Sequence, residues 1–148
     1  MSYSALLMLS FAVGIMVVIQ GGLNSKLGII LNNPLLATSV ALTFSALFTI
    51  MAVGVSVKQY PSIQQLKTVP VYLWFTGAVF SFLAVSLFYY LIPKLGLSTA
   101  VTFGLCGQIL FSMVAAHFGW FGLPIESIEL KKLIGTLAMI GGIYLIKF

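Results

Sequence analysis

A chain of 148 residues that is 61% hydrophobic and only 6% charged cannot clothe a water-soluble fold, since soluble domains carry about 25% charged residues. Its formal charge of +5 comes from seven lysines against Glu126 and Glu129, with no Arg and no Asp. The composition points to a single all-α integral membrane domain over residues 1–148. It argues against a nucleic-acid-binding module, because nothing basic exceeds the Lys131-Lys132 pair. It argues equally against an enzyme, because no Ser-His-Asp set exists without an Asp and no metal-ligand cluster is present.

A membrane-spanning helix needs about 20 apolar residues to cross about 30 Å of hydrocarbon. Five segments meet or approach that length. The first covers about 3–30, since the next stop signal is Asn32-Asn33-Pro34. No basic residue precedes it and no small-residue cleavage site follows it, so it is expected to remain in the mature protein. The second covers about 35–57 and ends at Lys58; a polar loop then runs from Lys58 to Pro70. The third covers about 71–92, followed by a short Pro93-Lys94-Leu95-Gly96 turn that predicts a tight antiparallel pair. The fourth covers about 97–116. Its exit, Phe118 to Glu129, holds Gly, Pro and both carboxylates. The fifth covers about 130–146.

Five spans put the chain ends on opposite sides of the membrane. Lys58, Lys67, Lys131 and Lys132 then share one side, and Lys26, Lys94 and Lys147 the other. A bias of four against three is too small to fix orientation. It is compatible with a chain that inserts both ways and with an ordinary, weakly biased one.

Polar and small residues fall on defined helix faces. Thr38, Ser45, Thr49 and Ser56 form one stripe on the second span. Gly104, Gln108 and Ser112 recur every fourth residue on the fourth, and Gln20 and Asn24 are one turn apart on the first. Gly135, Ala138 and Gly142 line one face of the fifth, a pattern that usually marks close helix packing. The third ends in Ser86, Tyr89, Tyr90 and Pro93. Hydroxyls can bond their own backbone carbonyls one turn back. Amides are harder to accommodate in hydrocarbon without a partner. Gln20, Asn24 and Gln108 therefore either join helices or face a transported molecule. Lys26 lies about 200° round the helix from Asn24, where it can snorkel to the interface. Trp74, Trp120, Tyr3 and Tyr72 fit interfacial belts. Cys106 is single and reads as a packing residue. No carboxylate lies within a span, which leaves His117 as the ionisable candidate for proton coupling.

Several of these elements occur together in one known pattern. Gln20-Gly21-Gly22-Leu23-Asn24-Ser25-Lys26-Leu27-Gly28 resembles the QxxLNxxLG element of the YdcZ-type family, within the drug/metabolite transporter superfamily. Asn33-Pro34-Leu35-Leu36-Ala37, Trp74 with Gly77, Pro93-Lys94-Leu95-Gly96 and Gly107-Gln108 are similar to its later elements. So are His117-Phe118-Gly119-Trp120-Phe121-Gly122 and Gly141-Gly142. The likeness covers nearly the whole chain in order. It departs at Ala116, where that family typically has Asp, and at Ala78, where it has a second Gly. The first departure puts carboxylate-based coupling in doubt.

The resemblance implies five transmembrane helices forming half of a ten-helix inverted-repeat architecture. The other half would be a second copy (a homodimer, antiparallel if inverted) or a paralogous chain. A substrate site would then lie near the midplane between halves. On that reading Gln20, Asn24, Gln108, Ser112, Tyr89, Tyr90 and Thr49 contact a small-molecule substrate. Gly135, Ala138 and Gly142 hold the dimer, and no cofactor or metal is needed. The expected location is the inner membrane, embedded in the lipid bilayer. A non-transporting membrane subunit is the competing expectation, favoured by Ala116. A small multidrug-type exporter would want a Glu in the first span, where Gln20 stands.

Overall fold

The computed structural model describes residues 2–122 and 124–147, and every regular element among them is helical. They form two compact units, one ending at Lys94 and one beginning at Leu95.

The first unit opens with α1, Tyr3–Ile30. Ser2 caps it by accepting the Ala5 N–H on its hydroxyl. Its far end closes as a Schellman motif. Asn32 takes φ +51°, the Asn33 N–H reaches the Gly28 carbonyl at 2.9 Å, and the Asn32 N–H reaches that of Ile29 at 3.0 Å. The expected stop at Asn32-Asn33-Pro34 is therefore where α1 ends. Asn33 then caps α2, Pro34–Ser56, through Leu35 N–H at 2.8 Å, with Pro34 at the position where its missing N–H is harmless.

Gly28 makes this hairpin tight. A Cβ there would lie 3.3 Å from Pro34 Cα and 3.6 Å from Ala37 Cβ. Ala37 is fully buried, and Thr38 bonds its own helix at the Pro34 carbonyl, 2.9 Å away.

The loop expected between Lys58 and Pro70 contains a helix, α3, Ile63–Thr68. Ser62 and Gln65 form a reciprocal capping box: the Gln65 N–H donates to Ser62 Oγ and the Ser62 N–H donates to Gln65 Oε1. A Ser followed three residues later by Gln was the sequence signal for it.

The last element of this unit, α4, runs Val71–Leu95. It passes through Pro93 and ends three residues beyond the expected boundary at Ile92. The connection to the next helix shrinks to Gly96, at φ +84°. Proline inside a helix removes the N–H that would serve the carbonyl four residues back, here that of Tyr89. The Ser25 hydroxyl, 2% exposed on α1, donates to that carbonyl at 3.3 Å. A neighbouring hydroxyl that meets the orphaned acceptor is what lets a buried helix continue through proline in an apolar medium.

The second unit comprises α5, Leu97–His117, a 3-10 turn at Trp120–Gly122, and α6, Leu130–Lys147. The exit from α5 turns sharply, with positive φ at Gly119, Phe121 and Gly122. Phe121 is the costly one, since a side chain in the left-handed region meets its own backbone. Thr136 ties α6 to α5: its hydroxyl lies 2.9 Å from the Lys132 carbonyl and 3.0 Å from Met113 Sδ.

Among the described residues four helices, α1, α2, α4 and α5, are long and apolar enough to cross a membrane, and most of their side chains are exposed. The segment expected as the fifth span folds as the helix α6, but it is not among these four and carries Lys131, Lys132 and Lys147. The stretch between Lys132 and Lys147 is about 21 Å long at 1.5 Å per residue, short of the roughly 30 Å of hydrocarbon.

Candidate functional site

Polar groups converge where α1 meets α4. A stripe of small residues, Gly21, Ser25 and Gly28, is buried on α1 and permits the approach. A Cβ on Gly21 would stand 2.8 Å from Phe88 Cε1 and 3.3 Å from Ile92 Cδ1. That closeness brings Tyr89, 2% exposed, against the polar side of α1. The Asn24 amide donates to the Tyr89 hydroxyl at 2.9 Å, and the Gln20 amide lies 3.4 Å from the same oxygen. Tyr89 is thus held at both ends, its hydroxyl by two amides and its carbonyl by Ser25. Ser86, one turn earlier on the buried face of α4, is 9% exposed, and its hydroxyl makes no hydrogen bond among the described residues.

Three of the expected substrate-contacting residues, Gln20, Asn24 and Tyr89, therefore form one cluster. Others lie apart from it. Tyr90, about 100° further round α4, is exposed and engaged by Lys94, whose ammonium contacts the hydroxyl and sits 3.9 Å from the ring centroid. Thr49 is exposed and donates to its own helix at the Ser45 carbonyl, 2.8 Å away. That is the self-satisfied state open to any hydroxyl on the α2 stripe.

In the second unit Gln108 is exposed on α5 and makes no side-chain hydrogen bond among the described residues. Ser112 bonds back to the Ile109 carbonyl at 2.9 Å. It borders a cavity of about 250 Å³ lined by Met113, Ala116, Glu126, Ser127, Ile128 and Lys132. The Glu126 N–H reaches the Ala116 carbonyl at 3.0 Å, which folds the exit loop back onto the end of α5. The Glu126 carboxylate pairs with Lys132 at 2.7 Å. The hydrogen bond from Lys132 first, and its charge second, hold the Glu126 carboxyl below the usual carboxylate range.

His117 is exposed and meets Phe118 edge to face at 5.1 Å between centroids. Phe118 stacks on Trp120, which also contacts Phe111, so the exit is an aromatic cluster. Gly135, Ala138 and Gly142 are exposed on α6, and a Cβ on either glycine would meet nothing within 4 Å.

Ser25 is the member of the α1–α4 contact that the sequence pattern did not single out. The signal was available: Pro93 requires an unserved carbonyl at Tyr89, and only a nearby hydroxyl or amide could serve it.

Long apolar helices, outward apolar faces and a polar cluster between two of them define a multi-pass helical membrane protein. More particularly, the chain belongs to the YdcZ family of the drug/metabolite transporter group, described as "Putative inner membrane exporter, YdcZ", whose profile matches residues 5–145. It is a multi-pass protein of the inner membrane. No curated protein and no solved structure matches the chain.

Proposed function

We propose that the chain is one protomer of an exporter for a small neutral or zwitterionic solute, working by alternating access with a second five-helix chain. The observation that carries this reading is the Gln20-Asn24-Tyr89 cluster. Three hydrogen-bonding side chains at one contact between two spans are a costly feature in hydrocarbon, and such groups commonly mark a substrate path. The family's description as an exporter supports the same reading. The described spans hold no carboxylate, which disfavours a permanently cationic substrate. His117 is the coupling candidate in this scheme.

In this proposal α6 is the fifth span and its Gly135-Ala138-Gly142 face holds the partner. Those residues are exposed, with open space beside the glycines, and small residues let two backbones approach closely. The partner is a second copy in inverted orientation or a paralogue. Gln108, exposed on α5 and without a side-chain hydrogen bond among the described residues, is a further amide available to substrate or partner.

Transport by the reconstituted dimer tests this directly. Asn24→Ala and Gln108→Ala are each expected to reduce transport by tenfold or more while leaving folding and dimerisation intact. If both variants fold, dimerise and transport like the native chain, the assignment fails. C-terminal reporters active on only one side of the membrane test the inverted homodimer, and signal on a single side would rule it out.

A second reading has its own observation. Both amides already bond Tyr89, and Ala116 stands where the resembling pattern has Asp. In that case the cluster is interhelical glue in a non-transporting subunit that supports a paralogous chain. Transport that requires the paralogue and ignores Asn24→Ala would establish it.

A further inference from the structure

The hydrogen-bonding capacity left over at the α1–α4 cluster specifies a ligand chemistry. An amide side chain offers one carbonyl acceptor and two N–H donors. Asn24 and Gln20 each turn one N–H to the Tyr89 hydroxyl. Each therefore retains its carbonyl and a second N–H with no partner among the described residues. At least one free carbonyl and one free N–H remain however the amides are turned. The Tyr89 hydroxyl has a single hydrogen, so it can serve at most one carbonyl. At least one amide must donate to it and keep its own carbonyl free. Ser86 adds a buried hydroxyl with no partner among the described residues, one turn back along α4.

What remains is a neutral surface with donors and acceptors side by side. Among the described residues no charged side chain hydrogen-bonds to the cluster: Lys94 is engaged by Tyr90, and Lys26 lies on the far side of α1 from Asn24. A carboxylate or ammonium entering here would lose water and gain no counter-charge. A group with only acceptors would leave the amide N–H unmet, and a group with only donors would leave the carbonyl unmet.

We infer that this cluster recognises a neutral solute bearing a donor and an acceptor on the same carbon, as in a primary amide, lactam or ureide. The inference rests on the substrate-path reading of the same cluster and narrows it from any neutral or zwitterionic solute to the amide class.

Four probes built on the same four-carbon chain separate the alternatives: butyramide, N,N-dimethylbutyramide, butyrate and n-butylammonium. Each is titrated onto the full chain in nanodiscs and followed by saturation-transfer NMR, with empty nanodiscs as the blank. Butyramide is expected to bind about tenfold tighter than the other three, and Asn24→Leu should erase that preference. Asn24→Asp keeps the size of the side chain and adds a charge. It should make n-butylammonium the preferred probe, and it decides the matter if Asn24→Leu does not fold.

The inference is overturned if the native chain binds butyrate, n-butylammonium or the dimethylated amide as well as butyramide. It is equally overturned if no probe exceeds the blank. Its failure is distinguishable from that of the export proposal. Transport lost in Asn24→Ala with a flat probe series removes the amide preference and keeps export. A butyramide preference with transport indifferent to Asn24 does the reverse.

Discussion

Gly21, Ser25 and Gly28 on α1 and Gly135, Ala138 and Gly142 on α6 are the same pattern in sequence, small residues three or four apart on one helix face. The first stripe is buried within the chain, against Phe88 and Ile92 of α4 and Pro34 and Ala37 of α2. The second faces outward with open space beside both glycines. In lipid, small residues are not driven together by the hydrophobic effect; they allow close van der Waals contact where a partner is present. The difference therefore lies in the partner. The first unit supplies its own, and the second leaves a face of the same kind uncovered.

Leucine substitutions should separate the two stripes most strongly. At Gly28 a side chain meets the Pro34 backbone, which cannot swing aside. Gly28→Leu is expected to destabilise the protomer by about 1–3 kcal/mol, the usual range for overpacking a close contact. At Gly135 a Cβ meets nothing within 4 Å, which leaves room to begin the side chain of Gly135→Leu. That substitution should change protomer stability by less than about 0.5 kcal/mol, as at other exposed sites, and weaken self-association instead. Unfolding in detergent and energy transfer between labelled protomers in bilayers measure the two effects. Equal loss of protomer stability in both variants would break the comparison.

Ser25 sharpens it at the level of one hydrogen bond. Ser25→Ala removes the donor from a carbonyl that Pro93 has already orphaned, and an unserved buried acceptor costs about 1–3 kcal/mol. Pro93→Ala restores an N–H that can serve the same carbonyl from within α4. Ser25→Ala should therefore cost clearly less in the Pro93→Ala background. A double-mutant cycle on unfolding stability reads this coupling. Additive effects would mean that Ser25 is not serving the carbonyl freed by Pro93.

How far the sequence revealed these regions follows from which interactions are local. Four spans were legible because apolar length is a property of one segment, and the end of α1 because Asn32-Asn33-Pro34 caps and restarts helices by itself. The end of α4 was not. Pro93 reads as a breaker until Ser25, far away in sequence, is known to satisfy Tyr89. The helix Ile63–Thr68 was legible in its capping box but hidden by the polar character of the loop. In the site, the burden of Gln20 and Asn24 could be read from residue type alone, whereas their shared partner Tyr89 required the fold. Gln108 and the α6 stripe are exposed among the described residues, so no contact within their own unit assigns them a role.

The smallest expected effect lies in the second unit, at the Glu126–Lys132 pair. Both side chains are largely exposed, at 62% and 45%, so solvent and salt screen the pair and its contribution is slight. Its sign is nevertheless defined. Lys132 lowers the Glu126 carboxyl below its unfolded value. The stabilisation is then fully present above the ordinary carboxylate range and is lost as pH falls through the lowered folded-state value. Lys132→Met should move the Glu126 titration back up towards that range, measurable by NMR of the side-chain carboxyl carbon. It should also flatten the acid limb of the melting profile of the exit loop and α6. The first unit offers an internal control, because Ser25, Asn24, Gln20 and Tyr89 tie α1 to α4 without carboxylates. If acid loosens the α1–α4 contact in step with the α5–α6 region, and does so equally in Lys132→Met, Glu126 is not the group responsible.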